Sequence, residues 1–152
     1  MQIKILTIGE LKYHNNGIVS EFNGVEHGVL DRPLVVIYLC NGKVERAIVP
    51  IGFETDFGTV PKMFGWLVNP KGKGAAAYVL HDWLCFAVMT DNRKKVDKIM
   101  QEALINLGVA HWEAWIAYSA VRIFNPLYEK YFRDTEREKV MFSMNEHLIK
   151  TC

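Results

Sequence analysis

Apolar and polar positions alternate along the first sixty residues, the period of half-buried strands. "QIKILTI" at 2–8 does so, and "GIVSEF" at 17–22 does so behind a turn signal, Asn16-Gly17. The clearest element is "PLVVIYLCNGKVERAIV" at 33–49. Two β-rich runs flank Asn41-Gly42, a pair that supplies the positive φ angles of a two-residue type I′ hairpin. On the second run Val44, Arg46 and Ile48 share one side while Glu45, Ala47 and Val49 share the other. That strand is therefore not cleanly one-faced.

Beyond residue 60 the period changes. "KGKGAAAYVLHDWLCFAVMT" at 71–90 has helix formers, sufficient length and glycines only at its start. In "DNRKKVDKIMQEALINLGV", Val96, Ile99, Met100, Ala103, Leu104 and Leu107 recur at spacings of three and four, the stripe of an amphipathic helix. Asp91 is a candidate N-cap and Gly108 a candidate C′ glycine. A third helix, "HWEAWIAYSAVRIFN", is apolar nearly all round and stops before Pro126. Trp112 and Trp115 read as core, as do Trp66 and Trp83. The charged, mixed tail reads as a helical extension. The pattern predicts one α+β domain over 1–152: a β-rich part (1–60) whose antiparallel hairpins pack against three to four helices, a helical part (61–125) and a helical tail (126–152).

Composition adds limits. With 152 residues the chain can bury a real core. A formal net charge of +1 gives no long-range reason to expect nucleic acid as a partner. The basic runs "KGK" at 71–73 and "NRKK" at 92–95 read as solvated surface. No 18-residue apolar stretch runs uninterrupted, and no signal peptide is expected, so membrane insertion is not expected either. Cys40, Cys85 and Cys152 are widely spaced and odd in number, which points to free thiols in a reducing compartment.

Chemistry is concentrated where ionisable residues interrupt apolar text. His81 and Asp82 sit inside "AAAYVLHDWLCFAVM". Asp56 follows Thr55 where the last strand turns toward the helices. Asp97 lies at the edge of the apolar stripe of the second helix, and Arg122 lies between Val121 and Ile123. A buried charge must be paired or neutralised. These residues are therefore expected to converge, with Arg122 on a carboxylate and a His81 N–H on another. Two readings stay open. One is a buried network, including Thr55, that fixes how helices pack on the sheet. The other is a catalytic centre of His81 with Asp82 or Asp56, or a divalent-metal site with His81, Asp56 and Asp97 as candidate ligands. Thr59 is a weaker candidate nucleophile. If Arg122 is in a buried pair, its loss should cost about 3–5 kcal/mol. No H-E-x-x-H, Walker A, G-x-S-x-G or G-x-G-x-x-G motif is present.

Four segments in order, "VPIGFETDFGTVPKMFGWL", "AAAYVLHDWLCF", "VDKIMQEALINLGV" and "AYSAVRIF", resemble successive signatures of a phage and prophage protein family, domain of unknown function thirteen fifty-three. The resemblance spans about residues 48–125. Asp56, His81, Asp82, Asp97 and Arg122 match its pattern. Gly58 stands where alanine is common, and Cys85-Phe86 replaces a usual tyrosine and basic residue. The resemblance implies a phage virion-associated structural protein of the tail or neck, made in the host cytoplasm. Other virion proteins would be its partners, and a homo-oligomer is open. The alternative is a small hydrolase with a His–Asp centre, metal-dependent or not, with cell-envelope polymers as a natural substrate class.

Overall fold

The computed structural model describes residues 1–22, 25–55, 72–85 and 92–124, with backbone only at 15–22 and 25–27. The architecture is α+β, as the pattern of periods predicts. Among the described residues six strands come first: β1 (Ile3–Ile8), β2 (Tyr13–Phe22), β3 (Val25–Leu30), β4 (Leu34–Cys40), β5 (Lys43–Val49) and β6 (Glu54–Thr55). Helices α1 (Ala75–Trp83), α2 (Arg93–Asn106) and α3 (111–124) follow. The expected helical tail at 126–152, together with Asp56, Gly58, Thr59, Trp66 and Asp91, lies outside the described residues.

The strands form two antiparallel sheets, ordered β1-β4-β5 and β2-β3-β6. Asn41 (φ 50°) and Gly42 (φ 81°) make the tight turn between β4 and β5, and Cys40 pairs with Lys43 across it. Both central residues of a type I′ turn need positive φ, which Asn and Gly reach most easily. The other Asn-Gly signal, Asn16-Gly17, does not turn the chain. It lies within β2, where the register slips between Tyr13↔Leu30 and Ile18↔Gly28. The extra residues are absorbed as an irregularity in the strand. β3 was not legible beforehand, because "VEHGVL" carries a glycine and two ionisable residues that weaken strand alternation.

The β1-β4-β5 sheet has two unlike faces. Ile5, Tyr38, Val36, Ala47 and Val49 point into the core and are nearly inaccessible. The opposite face carries the cross-strand rows Lys4–Leu39–Val44, Thr7–Ile37–Arg46 and Val35–Ile48. The split side-chain pattern of β5 thus reflects one buried face and one open face that is itself rich in aliphatic residues.

Helix α1 is buried along its whole length from Ala75 to Asp82. The chain then continues through Leu84 and Cys85 in a wider helical turn. On α2 the expected stripe is realised, with Val96, Ile99, Met100 and Ala103 fully buried. Complete burial of a side chain such as Ile99 or Met100 stabilises by about 1.5–3 kcal/mol. Asn92 caps α2, its Oδ1 accepting from the Lys95 backbone N–H at 3.2 Å. At the other end Gly108 (φ 89°) takes the left-handed position, with Val109 N–H donating to Leu104 O and Gly108 N–H to Ile105 O, each at 3.0 Å. This pair of bonds is a Schellman motif, so the expected C′ glycine is in place.

Two expectations are corrected. Lys95 is not plain solvated surface: its Nζ donates to Glu45 Oε2 at 2.6 Å, and the Tyr38 hydroxyl donates to the same oxygen at 2.9 Å. This contact ties the start of α2 to the inner face of the sheet. The tryptophans of α3 are not core either, since Trp112 is 58% and Trp115 62% exposed. Ala114, Ala117 and Ala120 face inward instead. Small residues at that spacing let α3 approach closely, and the large rings are turned outward. Trp83 is half-buried, edge-on to Phe53 with ring centroids 5.4 Å apart.

Replacing Asn92 with alanine removes the α2 cap and should lower stability by about 1 kcal/mol. Urea unfolding should show a shifted midpoint with an unchanged slope.

Candidate functional site

His81 and Asp82 are neighbours on α1, and neighbours on a helix project about 100° apart. The two side chains accordingly serve different partners. His81 turns toward α2, where its Nε2 lies 2.8 Å from Asp97 Oδ1. Asp82 turns toward the β2-β3-β6 sheet and accepts a hydrogen bond from Thr55 Oγ1 at 2.6 Å. Tyr13 is close enough that burial and then the Asp82 charge push its hydroxyl pKa upward.

Asp97 is 1% exposed, yet both its oxygens are engaged. Oδ1 faces His81 of α1, and Oδ2 accepts from Arg122 Nη1 of α3 at 3.3 Å. One carboxylate thereby joins three helices. The Arg122 side chain is 42% exposed, so its pair with Asp97 is half in water. Arg122 thus reaches a carboxylate, as expected, but on its side the pair is not a buried one. Arg122 is an exposed residue of α3 whose Nη1 still reaches the buried Asp97.

The ionisable residues thus fall into two groups. His81, Asp97 and Arg122 form one, with Cys85 beside it, and Thr55 and Asp82 form the other. Asp56 lies outside the described residues. Cys85 was legible only as a departure from the family pattern. Its place four residues after His81 sets both on the same side of the helix. Tyr13 gave no signal in the sequence, because only the fold brings the start of β2 to Asp82.

The sulfur of Cys85 lies 3.5 Å from His81 Nε2 and 3.7 Å from Nδ1. A thiol aligned with one ring nitrogen would stand much farther from the other. The near-equal distances place the sulfur over the ring, a packing contact of polarisable groups. They do not give the in-line geometry of a nucleophile and its base.

Burial alone would lower the His81 pKa. The Cys85 sulfur and the Asp97 carboxylate outweigh it and raise the value to about 10. The Asp97 contact is the stronger geometric support for that direction, being short and charge-assisted. The short bond to Asp97 favours the imidazolium form of His81 and weakens it as a ready general base.

The 2.8 Å separation of His81 Nε2 and Asp97 Oδ1 is a direct hydrogen bond. An ion held by both would need about 2 Å to each ligand, which opens the gap further. The pair does not fit as a metal-binding pair in this arrangement. Among the described residues no group of three or more His, Cys, Asp or Glu side chains is arranged to hold a metal. Among the same residues no helix is long and apolar enough to cross a membrane.

The family model described as Protein of unknown function (DUF1353) matches residues 32–121. The chain belongs to this family. The matched span begins well before the motif at Val49 and takes in the β4–β5 hairpin. It contains Thr55, His81, Asp82, Cys85 and Asp97 and ends one residue before Arg122. Searches of curated proteins and of solved structures found no match.

Because the folded pKa of His81 lies above its unfolded value of about 6.5, its stabilising contribution is complete below that value. It is lost as pH rises toward the folded pKa of about 10. Thermal melts of wild type and His81→Gln should therefore differ most near pH 6 and converge toward pH 10. Each 1 kcal/mol of that difference corresponds to about 2–4 °C in Tm for a chain of this size. A gap independent of pH would show that His81 is neutral in the fold.

Proposed function

We propose that this chain is a structural protein that works by assembly, and that the His81–Asp97–Arg122 cluster is architectural. The observation that carries this reading is Asp97, a carboxylate almost wholly removed from water with one oxygen committed to α1 and the other to α3. At 1% exposure Asp97 faces no substrate itself, and each of its oxygens ties α2 to another helix. The thiol over the imidazole face and the imidazolium state of His81 also support the architectural role. The setting we propose is a phage virion, in its tail or neck, with other virion proteins as partners. The family resemblance of the four sequence motifs supports that setting.

Mass spectrometry of purified particles tests the setting: the chain should be present in a fixed copy number. Its consistent absence from particles made by cells that express it would sink the assembly reading. The architectural role is tested by pairing stability with activity. If His81→Gln folds at a permissive temperature yet abolishes a hydrolytic activity that wild type shows on cell-envelope polymer, the cluster is catalytic and the reading fails.

Removing the two partners of the cluster should have unequal effects. Asp97→Ala leaves an imidazolium buried without its acceptor and should cost about 3–5 kcal/mol. Arg122→Ala removes only a half-solvated partner and should cost about 1 kcal/mol or less. Chemical denaturation of the two variants should show this order, and equal losses would mean that the Arg122–Asp97 pair behaves as a buried one.

A further inference from the structure

We propose that α3 is a lid: it swings away from the body about Ala110 while the sheets, α1 and α2 stay folded, and the Arg122–Asp97 pair is its latch. The inference goes beyond the assembly reading and stands or falls apart from it. The side chains that α3 buries fully are methyl groups, those of Ala114, Ala117 and Ala120. Ile116, Tyr118 and Val121 are half-buried. Large apolar side chains are turned to water, Trp115 at 62% and Ile123 at 63% exposed. α2 does the reverse and buries Val96, Ile99, Met100 and Leu104. Burial stabilises in proportion to the apolar area removed from water, so α3 is held to the core by far less than α2 is.

The two ends of α3 are held differently. Before its start, Val109 packs against the core and donates its N–H to Leu104 O at 3.0 Å, so the chain is fixed up to that residue. Ala110 is exposed, lies outside any regular element and is the single residue between Val109 and α3. Hinges are element-terminal residues of this kind, which absorb the change in φ and ψ. At the far end, Arg122 Nη1 donates to Asp97 Oδ2 at 3.3 Å, with the Arg122 side chain 42% exposed. A half-solvated ion pair loses little when water replaces one partner. Opening leaves Asp97 its bond to His81 and brings its Oδ2 to water, so no buried charge is left without a partner. Elements held by few buried apolar contacts open at a lower free energy than the core.

Native-state hydrogen exchange of the full chain, read by mass spectrometry, should give the amides of 111–124 protection factors roughly tenfold or more below those of α2. Their exchange should also respond less to urea, because local opening exposes less surface than unfolding does. Arg122→Ala should lower the protection of 111–124 about fivefold and leave α2 unchanged. Arg122→Lys, which keeps the charge, should retain part of it. If Arg122→Ala does not fold, a salt titration of wild type carries the test: sodium chloride at about 1 M should screen the latch and lower protection in 111–124 ahead of α2.

Equal protection and equal urea dependence in α2 and α3 would show one cooperative unit and overturn the lid. So would an Arg122→Ala loss of protection shared equally by the two helices. Fast exchange in 111–124 that neither Arg122→Ala nor salt alters would mean that the helix opens without a latch, which overturns the proposal as well.

Discussion

The carboxylate of Asp97 cannot be removed from water without donors on both its oxygens, and the packing of the helices is built around meeting that demand. His81 meets it from α1 and Arg122 from α3. Each helix also buries an apolar face, but apolar contact is tolerant of small shifts. A charged hydrogen bond is not, because an ångström of displacement leaves a buried ion unpaired. The aliphatic residues of α2 therefore supply most of the adhesion, and Asp97 fixes the register at which that adhesion occurs. Whether ionic groups confer such specificity differs among proteins. Here the argument rests on one residue serving two helices at once.

The second polar pair, Thr55 with Asp82, does similar work toward the other sheet. Because His81 and Asp82 are consecutive, the rotation of α1 about its axis is constrained from both sides. Turning the helix to improve one contact spoils the other. The Lys95–Glu45–Tyr38 contact adds a third anchor, between the start of α2 and the inner face of β4 and β5. These contacts explain how α1 can be buried along its length and still hold two ionisable side chains.

Much of this was legible in the sequence, for identifiable reasons. The period change near residue 60, the Asn41-Gly42 turn and the stripe of α2 are local signals, and local physics enforces them. So is the oddity of an ionisable residue within apolar text, which singled out His81, Asp82, Asp97 and Arg122. What was not legible depends on the third dimension. The partition into two polar groups follows from the direction of side chains on α1. The outward tryptophans of α3 follow from an alanine face that packs more closely than indole rings would allow. Tyr13 reached the site only through the sheet pairing, and Asn16-Gly17 was drawn into a strand by tertiary pairing that outweighed its turn preference.

The two-residue connection between β4 and β5 also bears on how the chain reaches this structure. Closing so short a loop costs little entropy, so this hairpin can form on the microsecond scale before distant pairings are in place. β1 joins β4 across a separation of some thirty residues, and α1 and α2 arrive from farther still. The hairpin is a natural early template: its inner face presents Val36, Tyr38, Ala47 and Val49 as a ready surface on which β1 and the helices condense. Its outer face is aliphatic and stays open in the finished fold, so it is exposed to neighbouring chains during folding and after it.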